Sequence, residues 1–244
     1  MLETQIKEDN LMKTIGIIGA MDEEVSYLKS LLEMVSVKNI LGMDFAIGKM
    51  ASKSVVIVRS GIGKVNAAIC AQVLVDMYGV DYIINTGVAG ALGKGISVGD
   101  IVISKDLVHH DFDSTAFGGY EPGEIPRLNK VFFEADEDLI EIALKASAEA
   151  APNSKAYTGR IASGDQFISS NEQKEKIISR FKPLCVEMEG AAIAQTAYLN
   201  KIPFIVIRAM SDSSEDGAAA SYEKNKDFVA KVCAEIVEKM IAEI

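Results

Sequence analysis

Short apolar runs rich in β-branched residues recur along the chain, and each stops at a glycine or polar cluster before a helix-period segment begins. Thr14–Ala20 (TIGIIGA) is the first, followed by Asp81–Thr86 (DYIINT), Ile101–Ser104, Tyr157–Ala162, Leu184–Glu187 and Pro203–Ala209 (PFIVIRA). Runs this short and apolar, bounded by glycine, read as buried strands. Phe45–Met50 and Ser54–Arg59 read as a strand pair turning at Ala51–Lys53, and Gly87–Gly99 as a glycine-rich turn. Between the strands, helical spacing appears from Asp22 (apolar Val25, Leu28, Leu31, Leu32), over Lys64–Tyr78, and over Asp136–Ala150. It returns from a Ser170 cap through Phe181, over Gly190–Asn200, and over Tyr222–Ile244 with Val229, Val232, Ile236, Val237 and Met240. Strands alternating with helices predict a three-layer α/β domain. Residues 1–11 show no periodicity and are expected to be a flexible extension before one domain over 12–244, with Met12 a candidate start.

Composition narrows the partners. A net charge of −10 argues against nucleic acid or an anionic membrane, both of which need basic patches. No apolar run reaches the ~18 residues of a membrane span, and the polar N-terminus lacks a signal-peptide core, so a cytoplasmic location is expected. Cys70, Cys185 and Cys233 stand far apart in apolar surroundings, which suits buried thiols. The only histidines, His109 and His110, are neighbours, and no metal-ligand spacing occurs, so no metal is expected. The glycine loops fail as dinucleotide or P-loop motifs: Asn66 stands where a third glycine belongs, and no Gly-Lys pair is followed by Ser or Thr. His109 to Lys130 forms a long aromatic loop, read as a lid or a subunit contact.

Four polar clusters fall just past strand ends: Asp22-Glu23-Glu24, SGDQF, VEMEG and SDSS. Ligands of α/β sheets gather at the carboxyl ends of strands. A carboxylate that activates water and a carboxylic acid that protonates a leaving group define glycoside-type hydrolysis. Asp212, after a strand read as wholly apolar, suits a desolvated acid, yet Ser211 and Asp212 read equally as a cap or turn. Glu189 has the same two readings, helix first turn or site residue.

IGIIGAMDEEV, SGIGKVNAA, INTGVAGAL, VGDIVIS, TAFG, SGDQFI, VEMEGAAIA and IRAMSD occur in this order from about Lys13 to the C-terminus. Together they resemble the 5′-methylthioadenosine/S-adenosylhomocysteine nucleosidases of the purine nucleoside phosphorylase superfamily. The resemblance implies a three-layer αβα domain with a central mixed, partly barrel-like sheet, and hydrolysis of 5′-thio-substituted adenosines and 5′-deoxyadenosine in methionine salvage, with no cofactor. It implies Glu24 as the base for water and Asp212 as the acid that protonates the purine's imidazole ring. Glu189 would grip the ribose hydroxyls with Met188 against the sugar, and Phe167 and Ile168 would form the adenine platform. Gly90, Ala89, Ser211, Met21 and Ile62 would line the pocket, and Phe117 and Pro126 would reach the site of a homodimer mate.

The chain departs from the family pattern at Val88, where serine is common, and FGGYEPGEIP is one residue longer. Val88 is therefore left out of the chemistry. The superfamily's phosphorylases hold phosphate with arginines, where this chain offers an acidic turn and Asn85-Thr86, so water is the expected nucleophile. The alternatives are a futalosine or AMP nucleosidase and a nucleoside-binding protein without catalysis.

Overall fold

In the computed structural model, residues 13–212 and 218–244 are described. The expected extension over 1–11, the start at Met12 and the end of the SDSS cluster lie outside them. The chain runs β1 (Thr14–Gly19), α1 (Asp22–Ser30), β2 (Glu33–Ile40), β3 (Met43–Met50), β4 (Lys53–Arg59), α2 (Lys64–Tyr78), β5 (Tyr82–Ala91), β6 (Ile101–His109) and β7 (Phe133–Glu134). It continues with α3 (Glu137–Ala150), β8 (Ala156–Ser163), α4 (Asn171–Phe181), β9 (Cys185–Glu187), α5 (Gly190–Asn200), β10 (Phe204–Asp212) and α6 (Ala218–Glu243).

The strands form one mixed sheet whose centre closes on itself. β5 pairs with β10, β10 with β6, β6 with β8, β8 with β9, and β9 returns to β5. This ring is the barrel-like part. From its wall β1, β4, β3 and β2 extend as an open wing. Strand side chains alternate between two cores, as period-two geometry requires. Ile15, Ile17, Ile57 and Ile207 face α1, α3 and α6, while Ile18, Val56, Ile83 and Val206 face α2 and α5. Both sheet faces are covered, which is why the strands read as unbroken apolar runs. α4 adds a third cluster, in which Ile177 and Phe181 pack on Val108, Ile168 and Val186.

β5 has three neighbours. Its first half pairs with β1 as far as Ile18 opposite Asn85, and its last two residues, Gly90 and Ala91, pair with β9. From Thr86 to Ala89 the edge that β1 has left carries no ladder, while the other edge stays bonded to β10. This unladdered stretch positions the site.

Two sequence expectations are corrected. The turn expected from Gly87 is the continuation of β5 through Ala91. Gly87 marks a close approach inside a strand: a Cβ there would stand 2.1 Å from Arg208 Nη1 and 2.4 Å from Glu24 Oε1. The helix expected to run through Leu31 and Leu32 ends at Ser30, and β2 follows. β2 is the edge strand and is exposed along almost its whole length, so it has neither an apolar run nor an alternating pattern.

Candidate active site

Glu24 stands in the first turn of α1, but its side chain turns back from the helix toward the sheet. Oε2 accepts the N–H groups of Ala20 (2.7 Å) and Met21 (3.0 Å), and Oε1 accepts that of Val88 (3.0 Å). The carboxylate thus joins the end of β1 to β5 where the two strands part, and satisfies amides that would otherwise be buried without partners. It is 2% exposed. Burial raises its pKa above the ordinary carboxylate value, opposed by the Arg208 charge and the three backbone hydrogen bonds. Glu24 holds a proton more readily than an exposed glutamate.

Arg208 interrupts β10, a strand otherwise buried and mostly apolar, so the reading of that strand as wholly apolar is corrected. Its Nη2 donates to Asn85 Oδ1 at 2.6 Å and to Glu187 Oε2, and lies 3.7 Å from Glu189 Oε2; Nη1 lies 4.0 Å from Glu24 Oε1. One guanidinium faces three carboxylates in a space closed to solvent. With three negative charges around one positive charge, full ionisation of the group is disfavoured. Glu189 carries much of that cost: burial, then the Glu187 charge, lift its pKa to about 8, against the pull of Arg208 and the Gly63 N–H. Glu187 is fastened differently, by the N–H groups of Glu189 (3.0 Å) and Gly190 (2.8 Å) at the start of α5 and by the Ser163 hydroxyl.

Asp212 ends β10. A bulge between Met210 and Asp212 shifts the register with β5, and such a bulge re-aims a side chain at a strand end. Asp212 Oδ1 accepts the Ala91 N–H at 3.1 Å. A Cβ at Gly90 would sit 3.1 Å from the same oxygen, so the absence of a side chain there leaves the carboxylate its room. Ser211 donates through its hydroxyl to the Ala89 carbonyl at 3.3 Å.

Glu24, Glu189 and Asp212 all border one cavity of about 360 Å³, a size that suits a small ligand. The residues expected to join them, Met21, Ile62, Ala89, Gly90, Phe167, Ile168, Met188 and Ser211, line it too. Phe117 and Pro126 do not. Phe117 lies 84% exposed in a single 3-10 turn, and Pro126 is half-buried in the same long segment. Arg208, Val88 and Tyr222 were not anticipated. The signal for Arg208 was present, a lone charge inside PFIVIRA. Val88 was set aside for its side chain, yet its backbone N–H holds Glu24 and the residue lines the cavity. Tyr222 reads in sequence as one more helix residue; its ring meets Phe167 edge to face at 5.9 Å and its hydroxyl contacts Met21 Sδ at 3.1 Å.

Among the described residues, no group of histidine, cysteine, aspartate and glutamate side chains is arranged to hold a metal ion, and no helix is long and apolar enough to cross a membrane. The three cysteines are free and buried.

The profile of the phosphorylase superfamily matches residues 14–243. A 5′-methylthioadenosine/S-adenosylhomocysteine nucleosidase of Staphylococcus epidermidis is 43% identical over 228 residues, covering 93% of this chain and 98% of that protein. The Neisseria meningitidis 5′-methylthioadenosine/S-adenosylhomocysteine nucleosidase, solved in complex with methylthio-immucillin-A, superposes with a TM-score of 0.91 at 38% identity, covering 96% of this chain and 100% of the other. The Helicobacter pylori futalosine hydrolase superposes with a TM-score of 0.90 at 32% identity, again covering 96% of this chain and 100% of the other.

Proposed function

The chain belongs to the phosphorylase superfamily and, within it, to the 5′-methylthioadenosine/S-adenosylhomocysteine nucleosidases, and from that premise we propose how its site cleaves an N-glycosidic bond. The enzyme hydrolyses 5′-methylthioadenosine and S-adenosylhomocysteine to adenine and the thioribose sugar. The observation that carries the pairing of an acid with a base is that two buried carboxyl groups, Glu24 and Asp212, are bonded to backbone amides of one strand and border the same cavity.

Asp212 donates a proton to the imidazole ring of the purine, so the C1′–N9 electron pair leaves with a neutral base. Water adds to C1′ on the other side of the sugar, and its proton passes to Glu24. The acid loses one proton and the base gains one, and exchange with solvent restores both. Each transfer contributes about 10²–10⁴-fold. The raised pKa of Glu24 suits a base that must hold a proton as the oxocarbenium charge collapses. Glu189 accepts or donates at the ribose hydroxyls, Met188 packs on the sugar, Phe167 stacks on the purine and the Ile168 backbone meets its edge; all four residues line the cavity.

Water rather than phosphate is the nucleophile. Among the described residues no lysine or arginine lines the cavity, and Arg208, behind its wall, already faces three carboxylates and Asn85. A phosphate dianion at the position of the water would meet Glu24 and Glu189 with no free cation among the described lining residues to offset them.

A homodimer, cytoplasmic residence and a place in methionine salvage belong to the same reading. The exposure of Phe117 outside its own cavity supports the dimer, in which it would reach the mate's site. Three free thiols support a reducing compartment. The family match over 14–243 supports a single domain.

The test is adenine release from methylthioadenosine, S-adenosylhomocysteine and 5′-deoxyadenosine, with and without phosphate. Release in both conditions is expected. Absence of adenine throughout would remove the reading, and strict dependence on phosphate would make the protein a phosphorylase.

A further inference from the structure

Helix α2 begins at Lys64 behind Gly63, which has no side chain to cap it. Two loops from far along the chain cap it instead. Glu189 Oε1 accepts the Gly63 N–H at 2.9 Å, and Asp165 Oδ1 accepts the Lys64 N–H at 2.8 Å. Both groups lie where orphan amides and the helix dipole favour a carboxylate. The Lys64 side chain then reaches Asp111 Oδ1 at 2.6 Å, and Asp111 Oδ2 accepts the Asp165 N–H at 2.9 Å. This ion pair is mostly shielded, with its side chains 20% and 15% exposed, so solvent screens it less than a surface pair.

The three anchored segments are those that surround the proposed substrate. Gly63 follows Ile62, Asp165 precedes Gln166, Phe167 and Ile168, and Glu189 is the proposed sugar ligand. Ile168 is packed on α4, but Asp165, Gln166 and Phe167 before it are exposed, and Gln166 also borders a second cavity of about 200 Å³ on the side of α4. Packing fixes Ile168 but not the stretch that carries Phe167, which hydrogen bonds at Asp165 hold at its other end.

We propose that Lys64, Asp111 and Asp165 are positioning residues that lock the purine platform to the ribose ligand through the N-terminus of α2. They touch no substrate atom. They set the distance between Phe167–Ile168 and Glu189, so that purine and sugar are gripped together. The inference rests on the nucleosidase reading for the identity of the ligand, and adenine binding tests it without turnover.

The grip on the purine is the same in the bound substrate and the transition state, so its loosening appears in KM. In Lys64→Met and Asp165→Ala, the adenine dissociation constant by calorimetry and the KM for methylthioadenosine should each rise about tenfold or more, with kcat changed far less. Asp165→Asn keeps an oxygen for the Lys64 N–H and should recover most of the binding. The double variant Lys64→Met/Asp165→Ala should be less impaired than the two effects combined, because both act through one network. A merely structural role would lower the melting temperature and leave KM of the folded enzyme unchanged. Adenine binding within twofold of wild type in both single variants would overturn the proposal. A wild type that binds adenine but releases none from methylthioadenosine would remove the reaction while the binding comparison still judges the anchor. A wild type that binds no adenine would overturn both.

Discussion

Glu24 and Asp212 are both bonded to strand β5: Glu24 accepts the N–H of Val88 at 3.0 Å, and Asp212 accepts that of Ala91 at 3.1 Å. Successive amides of a strand point to opposite edges, so the two carboxylates approach it from opposite sides, Glu24 from the edge β1 has left and Asp212 from β10. The strand itself sets the spacing of the two carboxylates proposed as base and acid.

Removing either proton function should stop turnover and leave binding intact. Glu24→Gln and Asp212→Asn should each lower kcat by about 10²–10⁴-fold, while methylthioadenosine still binds by calorimetry. Full activity in either variant would remove that residue from its role. Combining the two should cost less than the product of the single effects, since the groups act in one step.

The Glu189 carboxyl couples stability to pH. Burial and the neighbouring Glu187 charge lift its pKa in the folded protein to about 8, against 4.5 for a free glutamate side chain. Between those values the folded state keeps a proton that the unfolded chain has lost, so stability falls as pH rises. Glu189→Gln removes this contribution. Denaturant midpoints at pH 5, 6.5 and 8 should show the variant gaining on wild type toward alkaline pH, and parallel profiles would refute the assignment.

Arg208→Met should be among the most damaging single changes. It leaves the Glu24, Glu187 and Glu189 carboxyls buried without their cation, a loss of about 3–5 kcal/mol. Glu24 and Glu189, whose pKa values burial already raises, relieve the repulsion by taking up protons, so urea midpoints should show the smallest deficit near pH 5 and the largest above neutrality. Arg208→Lys should not restore stability, because a single ammonium cannot reach Asn85 and Glu187 and also present a second charged nitrogen toward Glu24, as the planar guanidinium does.

Two glycines should separate folding from chemistry. Gly87→Ala forces a methyl to 2.1 Å from Arg208 Nη1, where backbone and ion cluster have no room to move, so a loss of at least about 1–3 kcal/mol is expected. Gly90→Ala brings its methyl to 3.1 Å from Asp212 Oδ1, a contact the carboxylate can relieve by shifting. Gly90→Ala should therefore fold and melt near wild type while losing activity, as melting curves beside adenine assays will show.

The apolar runs and helical spacing reveal most of the architecture because buried strands and amphipathic helices leave periodic traces. β2 leaves none, being exposed on both faces at the sheet edge. The end of β5 was hidden for another reason. Gly87 and Gly90 read as turn residues, yet they are absences of side chains beside Arg208, Glu24 and Asp212. That reason exists only in three dimensions. In the site, the motifs indicate which carboxylates border the cavity but not which cation sits behind them. Arg208 was visible as a lone charge in an apolar strand, and its meaning depended on three glutamates from two other segments. Tyr222 left no trace, since a tyrosine on an amphipathic helix is ordinary.

β10 lies between β5 and β6, two strands that are consecutive in the chain, and it carries both Arg208 and Asp212. A nascent chain that has emerged only through α5 has the amides for Glu24, but it has neither the cation behind that carboxylate nor Asp212, the proposed acid opposite it. The strand made last closes the ring. A chain that stops short of β10 lacks both Arg208 and the proposed acid Asp212, so the proposed proton donor arrives with the strand that completes the barrel.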